Sequence, residues 1–419
     1  MDTMPISSES IEQEDQSASM YGTQERSQVT FLPGQHLIAA FAGKATGPTL
    51  IVVGSLHGNE YAGVAAMLEL VTEVRSLEAS LDGRIYFLAG NTRAIEKRVR
   101  FIDTDLNRYW TQHNVSGVST PEILATSEGL ELTELDQELD SILITAMDEV
   151  FVLDLHSTSA DGVPFATVGD TLRNREFAQK FPVTILLGIE EQLDGTMLEY
   201  LNNAGAVTLG FEGGQHDSVQ TIENHKAMVR VAMVNSGVLK DEKLISLESS
   251  RNLLGAGKYD GRLLEVRHRH AIVPDNKFEM KRGFNNFDPV TKGDVLGKDR
   301  FGPVVSPESG LLLMPLYQRL GEDGFFIGRE ISPFWLGLSA VLRRLGIQKI
   351  VHVLPGVKRS PGDASTLLVN TRIARFLPLQ IFHLLGFRRR RWKDNHLVVS
   401  RRKHDTSGPF KWKGEKNGG

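Results

Sequence analysis

The sequence predicts an α/β fold: a mostly parallel or mixed sheet covered by helices on both faces, with a smaller C-terminal β domain after it. Two observations carry that prediction. From about residue 30 to 240, apolar runs of strand length alternate with stretches of helical period, the pattern of a sheet with helical crossovers. Beyond that, short apolar runs are punctuated by "TKGD", "SPESG" and "GEDG", which is turn chemistry. At 419 residues with 41% hydrophobic and 24% charged side chains, the chain has the composition of a globular protein and the length for several domains.

Taken in order, residues 1–28 are polar and acidic with no apolar segment, so they are expected as a disordered tail that is neither a signal nor a membrane span. Residues 29–245 are expected as the catalytic domain. Its candidate strands are "TLIVVGSLHG", "RIYFLAGN", "EVFVLDLHS", "VTILLGI" and "AVTLGFEGG". The candidate helices between them are Glu60 to Ala79, Leu132 to Met147, Gly195 to Asn203 and Asp217 to Val238. Residues 246–335 read as the small β domain, 336–392 as a helical extension and 393–419 as a basic disordered tail.

Charge and cysteine count narrow the function. The net charge of −5 conceals an asymmetry, because residues 388–419 hold eleven Lys or Arg against Asp394, Asp405 and Glu415. The acidic body lacks the basic face that nucleic-acid binding needs, so no nucleic-acid partner is expected. The run "RRRRW" at 388–392 is read as part of a solvated tail in preference to a membrane contact. With no cysteine, thiolate catalysis and Cys-based metal sites are excluded, and a reducing, cytoplasmic compartment is expected.

Three of the five candidate strands end in a metal-type or acidic residue: His57 with Glu60, then His156, then Glu212. Strand ends of a parallel sheet converge on one edge, where such folds place their chemistry. Two histidines and a carboxylate are the protein ligand set of an open catalytic zinc site, and the i, i+3 spacing of His57 and Glu60 lets a turn bring both to one side. A lone H-x-x-E is weak by itself; its weight comes from the other strand ends. Glu212 is the candidate general base beside a metal that lowers the pKa of water to roughly 7. After the second strand, residues 91–110 carry Arg93, Arg98, Arg100 and Arg108 with Asp105 and Asn107, and arginine is the side chain suited to clamp a carboxylate or steady an oxyanion.

The set "GSLHGNE", "NTRAIEKRVRFIDTDLNR", "DLHSTS" and "GFEGG", in that order, resembles the succinylglutamate desuccinylase and aspartoacylase family, whose fold is that of the zinc carboxypeptidases. The likeness covers roughly residues 35–335, and "RFIDTDLNR" is its most specific part. It implies one Zn2+ per chain held by His57, Glu60 and His156, with Glu212 as general base and then acid. It also implies that Arg100 polarises the scissile carbonyl, that Asn107 and Arg108 hold the substrate's α-carboxylate, and that a tyrosine of the small β domain, matched to Tyr317, enters the site. The activity expected is that of a zinc-dependent amidohydrolase removing the acyl group of a small N-acyl amino acid. A zinc carboxypeptidase acting on a peptide, or a binding protein that keeps the site without turnover, are the alternatives, and homo-oligomers are compatible with all three. Because Leu187 to Gly210 holds four acidic residues, Glu190, Glu191, Asp194 and Glu199, and no Lys or Arg, substrates with a single carboxylate are expected unless Arg282 or Arg319 folds over the pocket.

Overall fold

The computed structural model describes residues 32–406 apart from 119, 256, 258–259, 319–320, 362, 371–372, 374–378 and 394–395. The expected N-terminal tail and residues 407–419 lie outside the described residues, as does Arg319. The strands are β1 (Leu37–Ala42), β2 (Thr49–Gly54), β3 (Arg84–Ala89), β4 (Val150–Thr158), β5 (Phe165–Val168), β6 (Thr184–Leu187), β7 (Val207–Gln215), β8 (Leu263–Ala271) and β9 (Glu279–Met280). They continue with β10 (Pro289–Val290), β11 (Val295–Asp299), β12 (Gly302–Val305), β13 (Gly310–Leu313), β14 (Asp323–Glu330), β15 (Val357–Ser360), β16 (Asp363–Asn370), β17 (Arg389–Lys393) and β18 (His396–Ser400).

Eleven of these strands form one sheet in the order β1-β3-β2-β4-β7-β5-β6-β8-β14-β13-β10. The pairs β3–β2, β2–β4 and β4–β7 are parallel, whereas β5 runs antiparallel to β7, so the sheet is mixed with a parallel centre. Every residue of β2 is buried, which is why "TLIVVG" is apolar throughout and does not alternate. One face carries the helices Ser127–Leu143 and Met197–Asn203, whose Leu132, Leu135, Leu139, Met197 and Leu201 pack with Ile51 and Val53. The helix Ala62–Ser76 covers the other face. A Cβ at its Gly63 would meet Leu155 Cβ at 2.9 Å, so this glycine sets how closely the helix lies on the sheet. β8 pairs parallel to β6, and the sheet therefore passes unbroken into the region expected as the small β domain.

The expected helical extension over 336–392 is corrected. It holds the helix Pro333–Arg344 and a short one at Leu379–Leu384, but β15-β16-β18-β17 form a four-stranded antiparallel sheet. The segments "ASTLLVN" and "HLVVS" pair Leu367 with Val399 and Val369 with Leu397, β-rich partners that bury a separate small core with Val357, Phe382 and Phe387. The start of the supposed disordered tail is thus a strand, and Asp405 beyond it is buried.

Candidate active site

The carboxyl ends of the parallel strands lie level: Gly54 of β2 is in register with Ala89 of β3 and Leu155 of β4, and His156 of β4 with Glu212 of β7. Directly after β2 the chain reverses at Ser55, a non-glycine residue with φ 60°, whose hydroxyl donates to the Glu60 carbonyl (2.9 Å). The Glu60 N–H then donates to the His57 carbonyl (3.0 Å), closing the turn that puts i and i+3 on one side. After β3, the short helix Thr92–Lys97 ends at Arg98 with φ 52°, which sends the chain back towards the strand ends through Arg100 and Asp105.

These turns bring His57, Glu60 and His156 together, all buried. The Glu60 carboxylate lies between the two rings, Oε1 2.8 Å from His57 Nδ1 and Oε2 2.9 Å from His156 Nδ1. The outer nitrogens face carboxylates as well: His57 Nε2 is 3.1 Å from Asp105 Oδ1, and His156 Nε2 is 2.8 Å from Asp154 Oδ2. Ionised carboxylates only accept hydrogen bonds, so the His156 imidazole must either carry two protons or share its inner lone pair with a cation, whereas His57 Nε2 also lies 2.9 Å from the Arg100 Nη2 donor. The charges of Glu60 and His156 support each other. Burial alone raises the Glu60 carboxyl, but His57 and His156 outweigh it and hold it well below the carboxylate range. Burial lowers His156, yet Asp154 and Glu60 lift it well above the usual imidazole range. A histidine whose outer N–H is held by a carboxylate is the arrangement that orients metal-binding imidazoles, and the residues present fit a zinc ion.

Glu212 is buried beside this cluster, and its Oε2 has no hydrogen-bond partner among the described residues. Burial pushes its carboxyl up to about 8, opposed in part by His156. Arg100 donates from Nη2 to Asp105 Oδ2 (3.0 Å) and approaches Glu60 through Nη1 (3.5 Å), while its buried Nε has no partner among the described residues. Asn107 lines the same cavity, its Oδ1 accepting from the Met197 N–H (3.1 Å) at the start of a helix. Arg108 faces the cavity too, with Nε 3.4 Å from Glu322 Oε2.

Tyr317 departs from expectation. It does not line this cavity; its hydroxyl accepts from the Phe284 N–H (3.0 Å) and donates to the Phe284 carbonyl (2.8 Å), and its ring packs beside Met280 and Phe325. The backbone at Phe284 satisfies the hydroxyl, which turns it away from the cluster of His57, Glu60 and His156. Its neighbours Met314, Pro315, Leu316 and Gln318 do line the cavity, which measures about 140 Å³.

Four supporting groups have no local sequence signal. Glu128, fully buried, accepts the N–H groups of Ile102 (2.8 Å), Asp103 (2.9 Å) and Thr104 (3.2 Å) and so shapes the loop between Arg100 and Asp105. His225 Nε2 donates to the His156 carbonyl (2.9 Å) from the helix Val219–Asn235. Glu190 lines the cavity, and Arg402, from beyond β18, stands behind it with Nε 3.2 Å from Glu191 Oε1 and Nη2 3.9 Å from Glu190 Oε2. The cation that meets the acidic segment therefore comes from the supposed tail, while Arg282 lines only an adjoining groove.

Residues 46–235 match the family model described as "Succinylglutamate desuccinylase/Aspartoacylase catalytic domain". The matched segment, just under half of the chain, is similar to that catalytic domain. Among its relatives, a succinylglutamate desuccinylase of Shewanella piezotolerans is 34% identical over 91 residues, 22% of this chain and 25% of that one. An N-acyl-aromatic-L-amino acid amidohydrolase (carboxylate-forming) of Xenopus laevis is 31% identical over 115 residues, 27% of this chain and 35% of that one. The chain thus spans a quarter to about a third of the length of these two relatives. The fold is shared with the crystal structure of a succinylglutamate desuccinylase/aspartoacylase from Rhodobacter sphaeroides at TM-score 0.52 and 18% identity, over 70% of this chain and 88% of that one.

Proposed function

We propose that the chain is a metal-dependent deacylase of this family that hydrolyses the amide of a small N-acyl amino acid. One observation carries the reading: two buried histidines, each tied on its outer side to an aspartate, direct their inner nitrogens at Glu60, with Glu212 in register with one of them. His57, Glu60 and His156 would hold one zinc ion, which when bound supplies Lewis-acid polarisation and a water acidic enough to react near neutral pH. Glu212, in register with His156 and with its buried Oε2 unpartnered among the described residues, accepts a proton from the attacking water and returns it to the departing amine. Arg100 offers its unpaired Nε to the oxyanion. Arg108 and the side-chain N–H2 of Asn107 hold the substrate carboxylate. The cavity volume and the cover of residues 314–318 favour a small acyl amino acid over a peptide chain.

Among the described residues, Arg100 and Arg108 are the Lys or Arg side chains that line the cavity, against Glu190, Glu322 and Asp323 in addition to Glu60, Asp154 and Glu212. A second substrate carboxylate would find like charge, so substrates with one carboxylate and a neutral side chain are the proposed class, in keeping with the aromatic substrates named for the Xenopus relative. The test is amine release by the zinc-loaded protein from a panel of N-acyl amino acids that includes N-acetylaspartate and N-succinylglutamate. Turnover should be highest for neutral side chains and fall by about 10² or more in Glu212→Gln with zinc content unchanged. No amine release from any member would overturn the activity, and a preference for the dicarboxylates would overturn the substrate class.

A further inference from the structure

The helix Pro333–Arg344 packs Leu342 against the small C-terminal core but leaves several large apolar residues facing outward. Its inward side presents Ser339 and Arg343, 2% and 1% exposed, where Ser339 donates to the Leu384 carbonyl (2.7 Å) and Arg343 pairs with Asp170 (3.0 Å) and Asp405 (3.2 Å). Its outward side presents Phe334 at 68%, Trp335 at 49%, Val341 at 52% and, one residue past its end, Leu345 at 71%. Phe334, Val341 and Leu345 follow the i, i+7, i+11 spacing of one helical stripe, and Phe334 and Trp335 stack edge to face at 5.2 Å. The turns after the helix add Ile350 and Val353, 59% and 74% exposed. Isolated exposed apolar residues are ordinary, but a run of them on an element that buries Ser339 and Arg343 marks a contact surface.

Charge selects the occupant. Residues 331–360 contain five Lys or Arg and no Asp or Glu, within a chain of net charge −5. Arg343 is spent on the interior and Arg344 pairs with Glu176, whereas Lys349, Lys358 and Arg359 are exposed without an ion pair among the described residues. Arg359 donates to the Lys349 carbonyl (2.6 Å), which holds these cations beside the apolar turns. Two copies meeting through this face would bring like charges together, while an anionic surface with an apolar interior answers both features. No helix among the described residues is long and apolar enough to cross a membrane, so the contact is peripheral.

We propose that the outward face of Pro333–Arg344, with the turns through Val353, docks the protein on an anionic lipid surface, its aromatic and aliphatic side chains entering the headgroup boundary and Lys349, Lys358 and Arg359 meeting lipid phosphates. This face is separate from "RRRRW", whose first residue, Arg388, is turned inward onto Asp170 and Glu265.

The test is sedimentation of the full-length protein with vesicles of phosphatidylcholine alone or with added phosphatidylglycerol, at low and high salt, beside light-scattering mass measurement. Binding should need the anionic lipid, weaken with salt, and fall roughly tenfold or more in Lys349→Glu/Lys358→Glu and in Phe334→Ser/Leu345→Ser. Unchanged thermal unfolding and zinc content identify a folded variant; the charge pair, being fully at the surface, serves if the apolar pair unfolds. No binding to anionic vesicles, equal binding by both variants, or a wild-type dimer that the variants convert to monomer without any vesicle binding would overturn the proposal, the last in favour of a second copy.

Discussion

A single carboxylate, Glu60, accounts for much of the site's chemistry, because it accepts from two imidazoles and from the Ser157 N–H (3.1 Å) while fully buried. If His57, Glu60 and His156 hold zinc as proposed, losing one of the three leaves too few donors for tight binding, and His156→Ala should dialyse to well under one zinc per chain, as metal analysis would show. Asp154→Asn retains the ring but weakens its outer hold, and zinc affinity measured against a chelator should drop about 10- to 100-fold. The two arginines should differ in kind. In the proposed roles, Arg108→Ala would remove a contact made to ground and transition states alike and should raise KM, whereas Arg100→Ala should chiefly lower kcat. Glu322 stands where a substrate carboxylate would approach Arg108, so Glu322→Gln should lower KM; an unchanged KM would show that this contact does not compete.

At the level of elements, the loop from Arg100 to Asp105 has no regular structure of its own at Ile102–Thr104, and its N–H groups are satisfied by Glu128 on the helix Ser127–Leu143. A carboxylate accepting several buried N–H groups does so with charge-assisted bonds, and removing it strands every donor at once. Glu128→Ala should therefore cost on the order of 3 kcal/mol or more in chemical denaturation, and lower kcat/KM in the part that remains folded by displacing Arg100. Retained stability would mean that water replaces the carboxylate. The expectation from "RFIDTDLNR" reached the charged residues of this loop but not their support, since Glu128 lies more than twenty residues away in a segment whose pattern is simply that of an amphipathic helix.

On the scale of the whole molecule, the C-terminal region is joined to the main sheet by buried ions. Arg343 and Arg388 meet Asp170 from the loop after β5, and Arg388 and His383 meet Glu265 on β8 (2.5 and 3.1 Å). Burial would raise the Glu265 carboxyl, but the His383 hydrogen bond and Arg388 outweigh it and bring it from 4.5 to about 2. A carboxyl with a depressed folded-state pKa binds protons more readily when unfolded, so its stabilisation is complete above pH 4.5 and is lost as pH falls towards 2. Calorimetry should show stability falling through that window by an amount on the order of 3 kcal/mol from this group, and a shallower fall in Glu265→Gln. Equal pH profiles for the two proteins would refute the link. The same joint delivers Arg402 to the wall behind Glu190, so a region outside the family's matched residues reaches the candidate site.

The sequence alone determined the alternating architecture and the identities of His57, Glu60, His156 and Glu212 as one cluster, because strand-end positions in a parallel sheet are set by short-range pattern and their convergence by topology. Arg100, Asn107 and Arg108 were legible for a related reason, lying in one run directly after a strand that ends at the same edge. Tertiary structure decided what depends on contacts between distant segments. Tyr317 turns away from the cluster because the backbone at Phe284 satisfies the hydroxyl. The segment 336–392 reads as helix by its apolar content, yet pairs as strands because Leu367 and Val369 find Val399 and Leu397 across the sheet. Basic residues at the end of the chain read as a solvated tail until Asp170, Glu191 and Glu265 are placed beside them. A charge's partner lies wherever the fold brings it, and no local pattern encodes that distance.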